Sequence, residues 1–270
     1  MEQANVYYAL LLTLVAGLST GIGSLLAMVV KHTNTRLLSF ALGLSAGVMI
    51  YVSFVDIFPK AQDTLTILHG DKLGGAYTAL AFFGGMLLIA IIDKLVPTVE
   101  NPHEYKNIKS LNELEQAKSS KKIMRMGVLT AIVIAIHNFP EGIATFMAAL
   151  QDPEMGFAIA VAIAIHNIPE GVAVAIPIYI ATSSKLKAFT WSALSGLAEP
   201  LGAILAYFIL MPYISDTMMG VVFASVAGIM VYISIDELLP AAREWGKHHI
   251  SIWGMIVGMV IMAGAIIALA

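Results

Sequence analysis

The stretch Ile134-Ala-Ile-His-Asn-Phe-Pro-Glu-Gly-Ile-Ala144 returns as Ile163-Ala-Ile-His-Asn-Ile-Pro-Glu-Gly-Val-Ala173, with nine of eleven residues identical at an offset of 29. Both copies lie inside long apolar runs, so an imidazole, an amide and a carboxylate are placed twice near the middle of a hydrophobic segment. Ionisable groups at the centre of a membrane helix are costly, about 2.5–3.5 kcal/mol each on insertion scales, and mark function by default. At roughly 100° per residue, His at i, Asn at i+1 and Glu at i+4 fall at about 0°, 100° and 40° around a helix. The carboxylate lies between the other two groups.

The composition around this pair describes a protein whose solvent is lipid. Of 270 residues 59% are hydrophobic and only 12% charged, against roughly 25% charged in soluble domains, and the mean hydropathy is +0.84. Eight apolar segments, at about 5–30, 36–58, 74–96, 124–150, 155–180, 186–210, 217–240 and 250–270, each approach the roughly 20 residues that cross a hydrocarbon core as helix. The expected fold class is therefore all-α integral membrane, a single transmembrane domain over 1–270. Its connections are short apart from a charged, solvated loop at about 97–125.

The loops after spans 1, 3, 5 and 7 contain every Lys and Arg except Lys60 and Lys72. By the positive-inside rule that face is cytoplasmic and both termini are extracytoplasmic, in a multi-pass protein of the inner (plasma) membrane. No Lys or Arg precedes Lys31, so the first apolar run lacks the basic leader of a signal peptide and reads as a retained span. A net charge of -3 with no basic domain argues against nucleic-acid binding. The absence of cysteine excludes disulfides, iron–sulfur clusters and thiolate sites, leaving His, carboxylate, amide and thioether as metal ligands.

Further repeats link distant spans. Ala46-Gly-Val-Met-Ile-Tyr-Val-Ser-Phe-Val-Asp-Ile-Phe-Pro59 aligns with Ala227-Gly-Ile-Met-Val-Tyr-Ile-Ser-Ile-Asp-Glu-Leu-Leu-Pro240 at an offset of 181, and Gly17–Ala27 matches Gly196–Ala206 more weakly. Span 2 thus resembles span 7, span 1 resembles span 6, and span 4 resembles span 5. Partners separated by an odd number of crossings run in opposite directions. A 3+2+3 inverted-repeat arrangement follows, the design of carriers that expose one midplane site to alternate sides.

The twin motif suits a divalent metal. His137, Glu141, His166 and Glu170 can face one ion, while Asn138, Asn167 and the same glutamates face a second, each Glu able to bridge. Pro140 and Pro169 remove the donors to the carbonyls of Ile136 and Ile165 and kink the helices there. Glu199 is a third mid-span carboxylate beside a proline, expected on the oxygen-rich side. Asp56, Asp236 and Glu237 lie toward span ends and can line an entrance and an exit, whereas Asp93 beside Lys94 reads first as a solvated helix end. The methionines, Met49, Met147 and Met230 among them, read as packing.

His-Asn-Phe-Pro-Glu-Gly followed in the next span by His-Asn-Ile-Pro-Glu-Gly resembles the signature of the ZIP family of divalent-metal transporters, especially a bacterial branch. The resemblance covers essentially the whole chain. It implies uptake of zinc, and in this branch often Fe2+, Mn2+, Co2+ or Cd2+, into the cytoplasm, the metal being cargo and not a resident cofactor. By position, His137, Glu141, His166 and Glu170 match one central site. Asn138, Glu141, Asn167, Glu170 and Glu199 match its neighbour. On the carrier reading the metal enters past Asp56 and leaves toward Asp93, Asp236 or Glu237. The resemblance also implies a unit of spans 1, 4, 5 and 6 moving against spans 2, 3, 7 and 8. The long loop carries one histidine, His103, where many relatives have a His-rich run. A metal-selective channel and a membrane di-metal enzyme stand as alternatives, although the chain lacks His-Glu-x-x-His and paired Glu-x-x-His motifs. Partners expected besides the ions are the bilayer and, as an open assembly state, a second copy in a homodimer.

Overall fold

The computed structural model describes residues 3–29, 35–95, 120–210, 213, 215–245 and 248–269, almost all of them helical and none in a strand. Eight of its helices are long and apolar enough to cross a membrane. Helix α1 is Gln3–Val29. Helix α2 runs as Thr35–Val52, a widened π turn Ser53–Ile57, and Phe58–His69. Helix α3 is Asp71–Leu95, α4 is Ser120–Gln151 and α5 is Pro153–Thr182. Helix α6 comprises Lys185–Gly196, Ala198–Leu205 and a π turn Ala206–Leu210. Helix α7 comprises Asp216–Ile233, a π turn Ser234–Leu238 and Leu239–Trp245, and α8 is His248–Leu269.

Local chemistry sets these limits. The Asp152 carboxylate accepts from the amides of Glu154 and Met155, and Pro153 follows as a first helical residue whose missing N–H is not needed there. Ser184 and Ser215 cap α6 and α7 in the same way, through the amides of Lys187 and Met218. Between α2 and α3 stands only Gly70, at φ +78°, a conformation that a side chain disfavours.

Two boundaries differ from those expected. Span 2 was expected to end near residue 58, before Pro59, yet α2 continues to His69. Pro59 cannot donate to the carbonyl of Val55 and its ring crowds that turn. The backbone answers by widening, with the Phe58 amide reaching back to the Ser53 carbonyl. The same happens before Pro240, where the Leu239 amide bonds the Ser234 carbonyl. The aligned segments of α2 and α7 therefore share a backbone irregularity as well as residues. The second difference lies in the long loop, expected to reach 125, because α4 already begins at Ser120. Lys121 to Met126 contains no helix breaker. The rest of that loop, His103 included, lies outside the described residues.

Packing divides the helices into two bodies. A Cβ added to Gly23 would collide with the Ile168 carbonyl, and one on Gly17 with that of Gly196, so α1 meets α5 and α6 backbone to backbone. Gly142 and Gly202 bring α4 and α6 together in the same manner. Gly43, Gly47, Gly254 and Gly258 lock α2 to α8, and Gly85 and Gly228 lock α3 to α7. Every such glycine contact among the described residues falls within α1, α4, α5 and α6, or within α2, α3, α7 and α8. Without a hydrophobic drive between helices in lipid, this close approach is what holds them. Met49, Met147 and Met230 are fully buried in the core. Leu80, Phe83 and Leu87 of α3 and Val260 and Ile267 of α8 are exposed, a surface suited to acyl chains.

Gly47→Ala would force apart backbones already in contact, whereas a Cβ on Gly84 meets nothing within 4 Å. Gly47→Ala should lower stability by about 1–3 kcal/mol, the usual cost of overpacking, and Gly84→Ala by a few tenths at most, as read by unfolding in mixed micelles. Equal effects would count against the packing described.

Candidate metal site

The seven residues singled out at mid-span, His137, Asn138, Glu141, His166, Asn167, Glu170 and Glu199, are all at most 1% exposed. Helices α4 and α5 run through Pro140 and Pro169 without ending, which keeps each His and Glu one turn apart on its helix. The pairing that results is across helices. His137 Nε2 stands 3.4 Å from Glu170 Oε2, and His166 Nε2 stands 3.3 Å from Glu141 Oε2. These two crossed pairs are images of each other under the motif repeat.

The amides anchor to neighbouring backbone. Asn167 Nδ2 donates to the carbonyl of Ala16 on α1 at 3.0 Å and, in a short contact, to Glu199 Oε1 on α6. Asn138 Nδ2 donates to the Ser195 carbonyl on α6 at 3.4 Å. The Ser192 hydroxyl fastens α6 further, to the carbonyls of Thr20 and Gly171. Asn167 thus spends both of its amide hydrogens and Asn138 one, and the oxygens of both are left.

What remains is a set of buried, unused ligating atoms: Nδ1 of His137 and His166, one oxygen each of Asn138 and Asn167, and one carboxylate oxygen each of Glu141, Glu170 and Glu199. Among the described residues Ser53 Oγ is the only other buried side-chain polar atom without a partner. Buried polar groups are nearly always paired, and each exception asks for an explanation. Here the exceptions coincide with the residues the sequence selected. The four groups expected to share one ion nevertheless stand as two pairs, and no three His, Asp or Glu side chains among the described residues are arranged to hold an ion together. An ion entering this place would have to exchange His–Glu contacts for metal–ligand bonds.

The pathway carboxylates separate into two situations. Asp56, in the π turn of α2, is paired with Lys60 at 2.8 Å, an i,i+4 contact that the spacing alone offers. Glu237, in the π turn of α7, is buried and within electrostatic reach of His137, Glu170, Asp93 and Asp236. Asp236 is exposed and hydrogen-bonded by Tyr232, while Asp93 is half-buried. The α7 side therefore carries acids close to the twin motif. Ser45, Ser192 and the π turns were not singled out, since a serine in an apolar helix carries no distinctive signal, but a proline after a polar residue in a long apolar run does.

A buried His, Asn and Glu cluster at the centre of a multi-pass helical bundle defines the class as membrane proteins that handle cations. The family model described as ZIP Zinc transporter matches residues 3–266. The chain is 61% identical over 259 residues to the zinc transporter ZupT of Streptococcus mutans, covering 96% of both chains. It is 60% identical to that of Oceanobacillus iheyensis over 98% of this chain and 99% of the relative, and 59% identical to that of Chlorobium limicola over 99% and 100%. This chain belongs to the ZIP family, a family of multi-pass membrane transporters, and the reading as a membrane enzyme falls away.

The crossed pairing has a measurable signature in metal-free protein. A double-mutant cycle between His137→Ala and Glu170→Ala should give a coupling of about 0.5–3 kcal/mol, as expected for groups in contact. The cycle between His137 and Glu141, neighbours on one helix, should give less. A larger coupling within the helix than across it would refute the pairing.

Proposed function

We propose that this protein carries zinc across the membrane into the cytoplasm by alternating access, with the twin motif as the midplane binding site. What supports this most is the coincidence of seven ligand-type residues with seven unused buried polar atoms in one place, since such groups are kept in lipid only for a use. The relatives named above are zinc transporters. His137, Glu141, His166 and Glu170 form the nitrogen-containing half of the site. Asn138, Asn167 and Glu199 add oxygens, so that with the shared glutamates a second ion finds a harder set of ligands, better suited to Mn2+ or Fe2+ than the imidazole side. Co2+ and Cd2+ are further substrates of this reading.

The route follows the charged groups. A cation enters past Asp56, where it must compete with Lys60, and leaves toward Glu237, Asp236 and Asp93. The 3+2+3 repeat supplies two equivalent ways of closing around the site, and the body of α1, α4, α5 and α6, which carries all seven residues, moves as a unit against the other four helices. Such motion distinguishes a carrier from a channel, the second reading.

Reconstitution into metal-free liposomes tests the whole. Zinc influx should saturate and be accelerated by zinc on the opposite side, as a carrier requires. Glu141→Ala, which removes a ligand common to both halves, should reduce influx by more than the roughly 10–100-fold that loss of a supporting partner costs. Folded protein giving no flux above empty vesicles would end the proposal, and unchanged flux in Glu141→Ala would end that assignment. Glu199→Ala should instead alter the preference among Zn2+, Mn2+ and Fe2+, and an identical ranking would remove the second ion from the scheme.

A further inference from the structure

A buried hydroxyl on a helix has a ready partner in the carbonyl one turn back. Thr13, Ser24, Thr145 and Ser234 all use it. Ser45, fully buried on α2, instead donates to the carbonyl oxygen of His166 on α5 at 3.3 Å. This bond crosses the boundary between the two bodies. It holds the backbone of the twin motif, while the His166 imidazole remains with Glu141.

The sequence repeat identifies the corresponding place on the other side. At the offset of 181 Ser45 falls on Val226, and at the offset of 29 His166 falls on His137. The counterpart of the α2–α5 contact is therefore the α7–α4 contact. The two are unequal here, because α2 lies closely along α5 whereas α7 meets α4 over a much shorter stretch. In a carrier built from inverted repeats, the two end states exchange such paired interfaces, the broad one becoming the narrow one. When α7 lies along α4, a buried valine stands at the position equivalent to that of Ser45, against the His137 carbonyl. Valine has no donor.

We propose that Ser45 is a one-sided latch: its hydrogen bond to the His166 carbonyl favours this conformation over the opposite one, in which Val226 offers nothing to the His137 carbonyl. The proposal rests on the alternating-access reading. Ser45 touches none of the ligating atoms, so it is a positioning residue that sets how the two states are populated. A net single hydrogen bond biases such an equilibrium about two- to tenfold.

The chain has no cysteine, so a cysteine pair introduced for spin labels is unique. Exposed Lys72 on α3 and Glu154 on α5 belong to different bodies, and the label distance between them, measured by double electron–electron resonance in liposomes, reports how the bodies stand. The full chain should give two distances whose proportion responds to added zinc. Ser45→Ala should shift that proportion about two- to tenfold away from the Lys72–Glu154 distance of the conformation described here. Where Ser45→Ala fails to fold, Val226→Ser is read in its place. It supplies the missing hydroxyl to the opposite state and should shift the proportion in the same direction, which a mere packing defect would not do. Two distances with the proportion unmoved, or moved the other way, overturn the latch and leave alternating access standing. A single distance in every protein, indifferent to zinc, overturns alternating access itself and the latch with it.

Discussion

Seven polar side chains have to be kept in the middle of an apolar bundle, and most of the structure can be read as the solution to that constraint. Left alone in lipid, each would be strongly unfavourable. The crossed pairs of His137 with Glu170 and His166 with Glu141 engage four of the five ionisable groups and bind α4 to α5. Asn138 and Asn167 then need acceptors, which they find on α6 and α1. The four helices drawn in by these bonds are the same four that glycine contacts weld together. The site and the body that carries it are one assembly.

The remaining four helices contribute none of the seven. Their share is the pair of π turns in α2 and α7, where Pro59 and Pro240 prevent a regular turn and the widened backbone places Asp56 and Glu237 at related positions. A division of labour results, with the seven polar residues on one body and the flanking charges on the other. Glycine locks within each body leave the boundary between them as the place where relative movement disturbs least.

Much of this was legible in the chain itself. Hydropathy located all eight helices, because in lipid the backbone must bond to itself and length and apolarity suffice to recognise a span. The seven site residues could be picked out because a His or Glu in an apolar run has few innocent explanations. Helix α2 outlasts the apolar run near residue 58, because Lys60, Gln62 and Asp63 end the run while a π turn absorbs Pro59 within a continuing helix. The partner choice within the site was also out of reach. Spacing put His137 and Glu141 on adjoining faces of one helix, but which carboxylate an imidazole meets depends on the rotation of α4 against α5, a property of packing. Ser45 and Ser192 were invisible for a related reason, as a helical serine bonds its own turn unless a neighbouring backbone comes near.

Symmetry is the remaining consideration. The crossed pairs of the twin motifs are so alike that by themselves they have no means of preferring one side of the membrane, since whatever His137 and Glu170 offer in one direction, His166 and Glu141 offer in the other. Any preference must come from positions where the repeats part company. Two of them are in view. Asp56 has Lys60 one turn on, whereas Glu237, its aligned partner, has Ala241 and sits among acids beside His137. Ser45 bonds α5 where Val226 would have no bond to give α4. Electrostatics then makes the two approaches to the site unequal, and in the proposed latch a single hydroxyl makes the two proposed conformations unequal. Direction in such a protein resides in its departures from symmetry, outside the crossed His–Glu pairs themselves.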